Sequence, residues 1–258
     1  MHPIILQLGS FKLPAYGLMV ALGYAAGILY IMRRAKPFGF DKEALSDLVF
    51  YSVVCGMLGA KLFYVFTYWG SFGEGFAARA AYALRTFQYG FVFYGGLIFG
   101  AAAFWAVARA KKLPVLSAAD LFAPALALGH AFGRVGCFLA GCCHGRPSSS
   151  FFAVTFTDPV CEVSPHLLGV PLYPTQLMEA AGNLAIFLVL DAALKRRRGT
   201  GFVVALYAAL YSVQRFLIEF LRGDDRGALH LGLSPAQWIS LGVLAAAAAA
   251  ARRIKAEK

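Results

Sequence analysis

Seven stretches of this chain are long and apolar enough to cross a lipid bilayer: 16–32, 45–66, 91–108, 118–140, 175–194, 201–221 and 235–251. A helix needs roughly 20 residues to span the hydrocarbon core. In lipid no water can satisfy the backbone, so a run of this kind must be helical. Composition agrees: only 14% of residues are charged, against about 25% in a soluble domain. The fold class expected is an all-α polytopic membrane protein. It forms a single integral-membrane domain over residues 1–258, with outward loops at about 67–90 and 141–174.

Loop charges orient the spans. Fifteen Lys and Arg residues fall in segments 33–44, 109–112, 195–198 and the tail after 251, while six fall in the alternate loops. Basic residues favour the cytoplasmic side. The N-terminus is therefore expected outside and the C-terminus in the cytoplasm. The first run, ending at Arg33-Arg34, reads as a retained span and not as a cleavable signal, which would carry its basic residues first. The net charge of +11 follows from these loops. No aromatic-basic platform suited to nucleic acid accompanies it, so nucleic acid is not an expected partner. Within the second outward loop, Phe152-Ala-Val-Thr-Phe-Thr157 alternates apolar and polar residues, the pattern of a short strand.

Ionisable residues inside the runs are the next constraint. Lys61, Arg134, Glu179, Arg215 and Glu219 lie within spans or at their edges. A charge at the bilayer centre costs several kcal/mol, from about 3 to above 10, unless it meets a partner, water or a polar ligand. Arg134 falls late in the fourth run, Glu179 early in the fifth, and Arg215 and Glu219 late in the sixth. In an alternating topology these share one depth, toward the outer leaflet. Arg215 and Glu219 could close on each other as an i,i+4 pair, but that pairing accounts for neither Arg134 nor Glu179. Arginine presents a planar fork that stays charged in an apolar setting and matches phosphate. The residues alone therefore point to a pocket for an anionic lipid headgroup.

Cys137, Cys142 and Cys143 cluster beside His144, with Cys161 further along and Cys55 in the second run. A metal site is conceivable here, but the spacing matches no standard zinc pattern, and none is assigned. A disulfide from Cys161 to Cys142 or Cys143 suits an outward-facing loop. Cys55 and Cys137 read as packing residues, His130 as a hydrogen-bonded core residue.

The stretch Gly133-Arg-Val-Gly-Cys-Phe-Leu-Ala-Gly-Cys-Cys-His-Gly-Arg-Pro147 resembles the signature box of the prolipoprotein diacylglyceryl transferases. Supporting stretches follow in the family's order: Tyr16-Gly-Leu-Met19, Gly59-Ala-Lys-Leu-Phe-Tyr64, Phe93-Tyr-Gly-Gly-Leu97, Tyr173-Pro-Thr-Gln-Leu-Met-Glu179, Arg215-Phe-Leu-Ile-Glu-Phe-Leu-Arg222 and Leu233-Ser-Pro-Ala-Gln237. The resemblance implies transfer of an sn-1,2-diacylglyceryl group from phosphatidylglycerol to the lipobox cysteine of a preprolipoprotein. Glycerol-1-phosphate leaves, no cofactor is needed, and the setting is the bacterial inner membrane with the site facing the periplasm. On that reading Arg134 and Arg215 clamp the leaving phosphate, with Tyr94 at the position of thiol activation. Tyr16, Gly95, Gly96, Cys137, Glu179, Glu219 and Arg222 would contact substrate or hold the arginines.

The chain departs from the family pattern in places. Many members carry His where this chain has Tyr94; the box asparagines are replaced by Cys137 and Ala140, the acidic residue after the box glycine by Cys142, and a usual Arg by Lys61. Other readings stay open on the sequence: a paralogue with another acceptor or lipid donor, a non-enzymatic anionic-lipid-binding or transport protein, or a thiol oxidoreductase. The last would normally carry a Cys-x-x-Cys pair.

Overall fold

The structure is a computed structural model and describes residues 2–9, 11–86, 90–196, 199–224 and 228–254. Of the basic residues that orient the spans, Arg197, Arg198, Arg226, Lys255 and Lys258 lie outside the described residues. The chain divides into two compact units, Met32–Ala118 and Met1–Ile31 with Ala119–Lys258.

The larger unit opens on a hairpin of β1 (Ile4–Leu8) and β2 (Phe11–Pro14), antiparallel with Leu8 opposite Phe11. Helix α1 (Ala15–Ala35) follows directly, with Arg33 and Arg34 in its last turn, where cations complement the helix dipole. The next three helices, α2 (Lys42–Thr67), α3 (Phe76–Arg85) and α4 (Phe93–Ala110), belong to the other unit. Helix α5 (Val115–Ala140) carries Pro124 inside it. Small residues seat α1 on α5. A Cβ at Gly23 would come within 3.0 Å of the Gly129 carbonyl oxygen, and one at Gly27 within 3.4 Å of the Ala125 carbonyl oxygen. Helices approach this closely in membranes where side chains are minimal.

Beyond α5, β3 (Val154–Thr155) pairs with β4 (Pro171–Leu172), so the expected strand shortens to two residues. Phe156, Cys161, Val163 and Leu172 form a small core there, with Phe138 of α5 against it. Helix α6 (Thr175–Lys195), α7 (Phe202–Glu219) and α8 (Pro235–Arg253) complete the unit. The start of α7 is capped from another helix: Asp120 of α5 accepts hydrogen bonds from the Gly201 N–H at 2.6 Å and the Val204 N–H at 2.8 Å. A carboxylate placed there satisfies amides that have no partner within the helix. Tyr30 of α1 donates to Asp191 of α6 at 2.8 Å. Helix α8 begins with a capping box between Ser234 and Gln237, as the Ser-Pro-Ala-Gln spelling allows.

In the smaller unit, α2 (Lys42–Thr67) is capped by Asp41, which accepts from the Ala44 N–H at 2.8 Å. It packs along α4 (Phe93–Ala110) through glycines on both helices. A Cβ at Gly59 would lie 2.7 Å from the Gly95 carbonyl oxygen, and one at Gly56 would lie 3.3 Å from that of Gly96. The outward loop at about 67–90 holds the helix α3 (Phe76–Arg85). Its alanine-rich sequence has strong helix propensity.

Six helices among the described residues are long and apolar enough to cross a membrane: α1, extended by a 3-10 turn to Phe38, then α2, α4, α5, α6 and α7. The chain is a multi-pass membrane protein. The seventh expected span forms α8 throughout its length but is not among those six. Gln237 and Arg252 sit at its ends and dilute its alanine tract.

Candidate active site

The ionisable residues of the larger unit gather at one end of its helices. Arg134 stands in the last two turns of α5, Glu179 in the second turn of α6, and Arg215 and Glu219 in the last two turns of α7. Glu179 is the hub and is only 1% exposed. Its Oε2 lies 2.5 Å from Arg134 Nε, its Oε1 lies 4.0 Å from Arg215 Nη1, and Arg222 Nη1 donates to Oε1 at 3.3 Å. Arg215 also contacts Glu219 at 2.7 Å, one turn along its own helix. The i,i+4 pair therefore exists, but as part of a larger network. The Arg134–Glu179 and Arg215–Glu219 contacts are close in distance without hydrogen-bond alignment, so acceptor and donor capacity stays at the centre.

Neighbours fix this arrangement. The Glu179 backbone carbonyl accepts from Asn183 at 2.8 Å and from Gln214 of α7 at 3.0 Å. Ser234 Oγ, at the start of α8, donates to Glu219 Oε1 at 2.7 Å. Arg222 forms a two-pronged contact with Asp224 at 2.8 and 2.6 Å, the bidentate geometry that guanidinium favours. Burial opposes the charge on Arg222, but the Asp224 carboxylate outweighs it and holds this guanidinium above its ordinary pKa. Arg134 also meets the Tyr211 hydroxyl, and Tyr211 packs against His130 with ring centroids 5.1 Å apart.

The loop after α5 is threaded through the same end. Gly145 N–H donates to the Tyr173 carbonyl, Arg146 N–H to that of Leu221, and Gly223 N–H to that of His144. A Cβ at Gly145 would lie 2.5 Å from Tyr173 Cβ and 2.9 Å from the Leu221 carbonyl oxygen, so this close approach requires glycine. Cys137, Cys142 and Cys143 converge beside Arg134 and Arg222, with sulfur atoms within 4.8 Å of one another. All five cysteines are free thiols, so the disulfide expected from Cys161 is not formed. Cys161 instead backs the Gly141 turn within the small loop core.

Of the residues singled out from the sequence, Arg134, Arg215, Glu179, Glu219, Arg222 and Cys137 come together. Tyr16, half exposed, begins α1 and lies against Gly136. Tyr94, Gly95 and Gly96 belong to the smaller unit. Tyr94 is 51% exposed at the start of α4, while Gly95 and Gly96 form the contact with α2. Lys61 donates to the Thr86 carbonyl at 2.6 Å and lies over the Tyr64 ring. The sequence reading missed Asp224, Tyr211, Asn183 and Gln214, and it quoted Ser234 only within Leu233-Ser-Pro-Ala-Gln237, with no role at the site. Only Ser234 carried a local signal, its capping-box spelling.

The model of the family described as prolipoprotein diacylglyceryl transferase matches residues 3–252. The chain belongs to the prolipoprotein diacylglyceryl transferase family. A phosphatidylglycerol–prolipoprotein diacylglyceryl transferase 2 of Clostridium perfringens is 35% identical over 244 residues, covering 95% of this chain and 92% of the relative. One from Clostridium tetani is 33% identical, covering 93% of each chain. One from Pseudoalteromonas atlantica is 33% identical, covering 92% of this chain and 84% of the relative. The diacylglyceryl transferase family match spans both units.

Proposed function

We propose that this chain transfers an sn-1,2-diacylglyceryl group from phosphatidylglycerol to the lipobox cysteine of preprolipoproteins, the first step of lipoprotein maturation. The observation that carries this reading is the buried Glu179 approached by Arg134, Arg215 and Arg222 from three segments. Intramembrane charges pair with one another or face a cavity, and they mark substrate pathways; here three guanidiniums share the buried Glu179 carboxylate. The family membership and the names of the relatives supply the chemistry.

The acceptor sulfur attacks the glyceryl carbon that bears the phosphate ester. A carbon–sulfur bond forms as the carbon–oxygen bond breaks, and its electron pair leaves on the phosphate oxygen of glycerol-1-phosphate. Arg134 and Arg215 stabilise that charge as it develops, the role in which preorganised donors contribute most. Glu179 and Glu219 hold the two guanidiniums in place, so little reorganisation accompanies the reaction. Arg222, clamped by Asp224, serves as a fixed cation for the headgroup, and Tyr16 lines the lipid path. The thiol proton needs a base. Tyr94 occupies the sequence position of thiol activation, an assignment that rests on Phe93-Tyr-Gly-Gly-Leu97 alone.

This reading includes α8 as a seventh span, the N-terminus outside and the reaction at the periplasmic face of the inner membrane. The uneven distribution of loop charge supports it. A cysteine-accessibility map with a membrane-impermeant reagent tests the orientation.

The decisive experiment mixes purified protein with phosphatidylglycerol and a lipobox peptide, then weighs the peptide by mass spectrometry. A diacylglyceryl adduct on the cysteine, with released glycerol phosphate, is the expected result. Folded protein that binds the lipid and yields no adduct would replace the transferase reading with lipid binding alone.

A further inference from the structure

The bond-making step uses none of the thiols of Cys137, Cys142 and Cys143, yet the fold brings the three together. Helix α5 delivers Cys137 in its last turn. The chain then reverses through Gly141 at φ 87° and Cys143 at φ 60°. A residue with a β-carbon rarely adopts that left-handed conformation. The reversal returns the side chains of Cys142 and Cys143 toward Cys137, and the three sulfurs lie within 4.8 Å of one another.

Both returning residues are anchored from α6. Gln176 Nε2 donates to the Cys142 carbonyl at 2.8 Å and Thr175 Oγ1 to the Cys143 carbonyl at 2.9 Å. Gln176 and Thr175 are fully buried. These bonds fix the backbone from which the Cys142 and Cys143 side chains project. Three thiols that merely pack would need neither the left-handed Cys143 nor a buried side chain on each of the Cys142 and Cys143 carbonyls.

The dimensions fit a metal ion. Sulfurs on one ion at about 2.3 Å each stand roughly 4 Å apart, within reach of small side-chain rotations here. All-sulfur donors select soft cations over magnesium or calcium. Arg134 and Arg222 border the cluster and offset the negative charge of the thiolates. We propose that Cys137, Cys142 and Cys143 form a three-thiolate site for a soft cation of the copper(I), zinc(II) or cadmium(II) class. Binding displaces thiol protons to solvent and needs no oxidant. Metal binding requires no transferase activity, although the site shares Arg134 and Arg222 with the transfer scheme.

The test uses the full chain, reduced and purified in detergent, titrated with cadmium(II). The expected result is a thiolate-to-cadmium charge-transfer band in the ultraviolet that saturates at one equivalent. Cys143→Ser abolishes the saturable band, and Cys55→Ser with Cys161→Ser keeps it. Folded protein without the band, or a band retained in Cys143→Ser, overturns the proposal. Should that variant fail to fold, alkylation of the wild-type chain decides. Cadmium is expected to protect Cys137, Cys142 and Cys143 and to leave Cys55 unprotected. Equal labelling of those three with and without cadmium overturns the site.

Discussion

Arg134 Nε stands 2.5 Å from Glu179 Oε2, and the same carboxylate faces Arg222 at 3.3 Å through its other oxygen. One buried anion thus joins the end of α5 to the segment after α7. Removing one partner of a buried ion pair typically costs about 3–5 kcal/mol, because the remaining charge is stranded. Glu179→Gln keeps the shape and removes the charge. It is expected to lower the apparent melting temperature in detergent and to lose turnover. A variant that melts like wild type would show that the arginines are held by other groups.

Arg215→Lys preserves charge and loses the planar fork. Turnover is expected to fall by about 10²–10³, the effect of removing one donor to a developing oxyanion, with the melting profile retained. Arg134→Ala is expected to abolish transfer outright. Near-normal rates in either variant would remove the phosphate clamp from the mechanism.

Tyr94→Phe deletes one hydroxyl from an exposed ring. If that hydroxyl moves the thiol proton, turnover drops by about 10²-fold or more while phosphatidylglycerol binding is unchanged. Unaltered turnover assigns proton removal elsewhere.

Ser234 does two jobs, capping α8 through the Gln237 N–H at 3.3 Å and donating to Glu219 at 2.7 Å. Loss of the cap alone costs about 1 kcal/mol. Ser234→Ala is therefore expected to reduce both thermal stability and turnover, and Ser234→Thr to recover both. Loss of stability without loss of turnover would separate the cap from the site.

Gly59→Ala places a Cβ 2.4 Å from Phe99 Cβ and 2.7 Å from the Gly95 carbonyl oxygen. Backbone must shift, and overpacking of this kind costs about 1–3 kcal/mol. Gly242→Ala, where the new Cβ meets nothing within 4 Å, is the control. The first is expected to melt earlier and the second at or above the wild-type temperature.

Much of the site was legible because charge inside an apolar run is expensive and so conspicuous. Arg134, Glu179, Arg215 and Glu219 could be placed at one depth by counting along alternating spans. Asn183 and Gln214, inside α6 and α7, and Asp224, beyond α7, could not, since only the folded chain shows which carbonyl or guanidinium they meet. The hairpin before α1 left a signal in Gly9-Ser10 between two apolar runs. The long spans overshadowed it. The α8 helix was legible as a helix, but polar residues at its ends separate helicity from clear membrane-spanning character.

Asp120 and Arg134 on α5 are separated by fourteen residues, and so are Gly201 and Arg215 at the start and end of α7. The contact between Asp120 and the Gly201 amide therefore acts as a common zero on two rulers of equal length. At about 1.5 Å per residue, both arginines arrive about 21 Å away at matching height. A single residue inserted in either helix would displace one guanidinium by about 1.5 Å and swing it about 100° around the axis. The alignment of the two cations is thus set at the far end of the helices from the site itself.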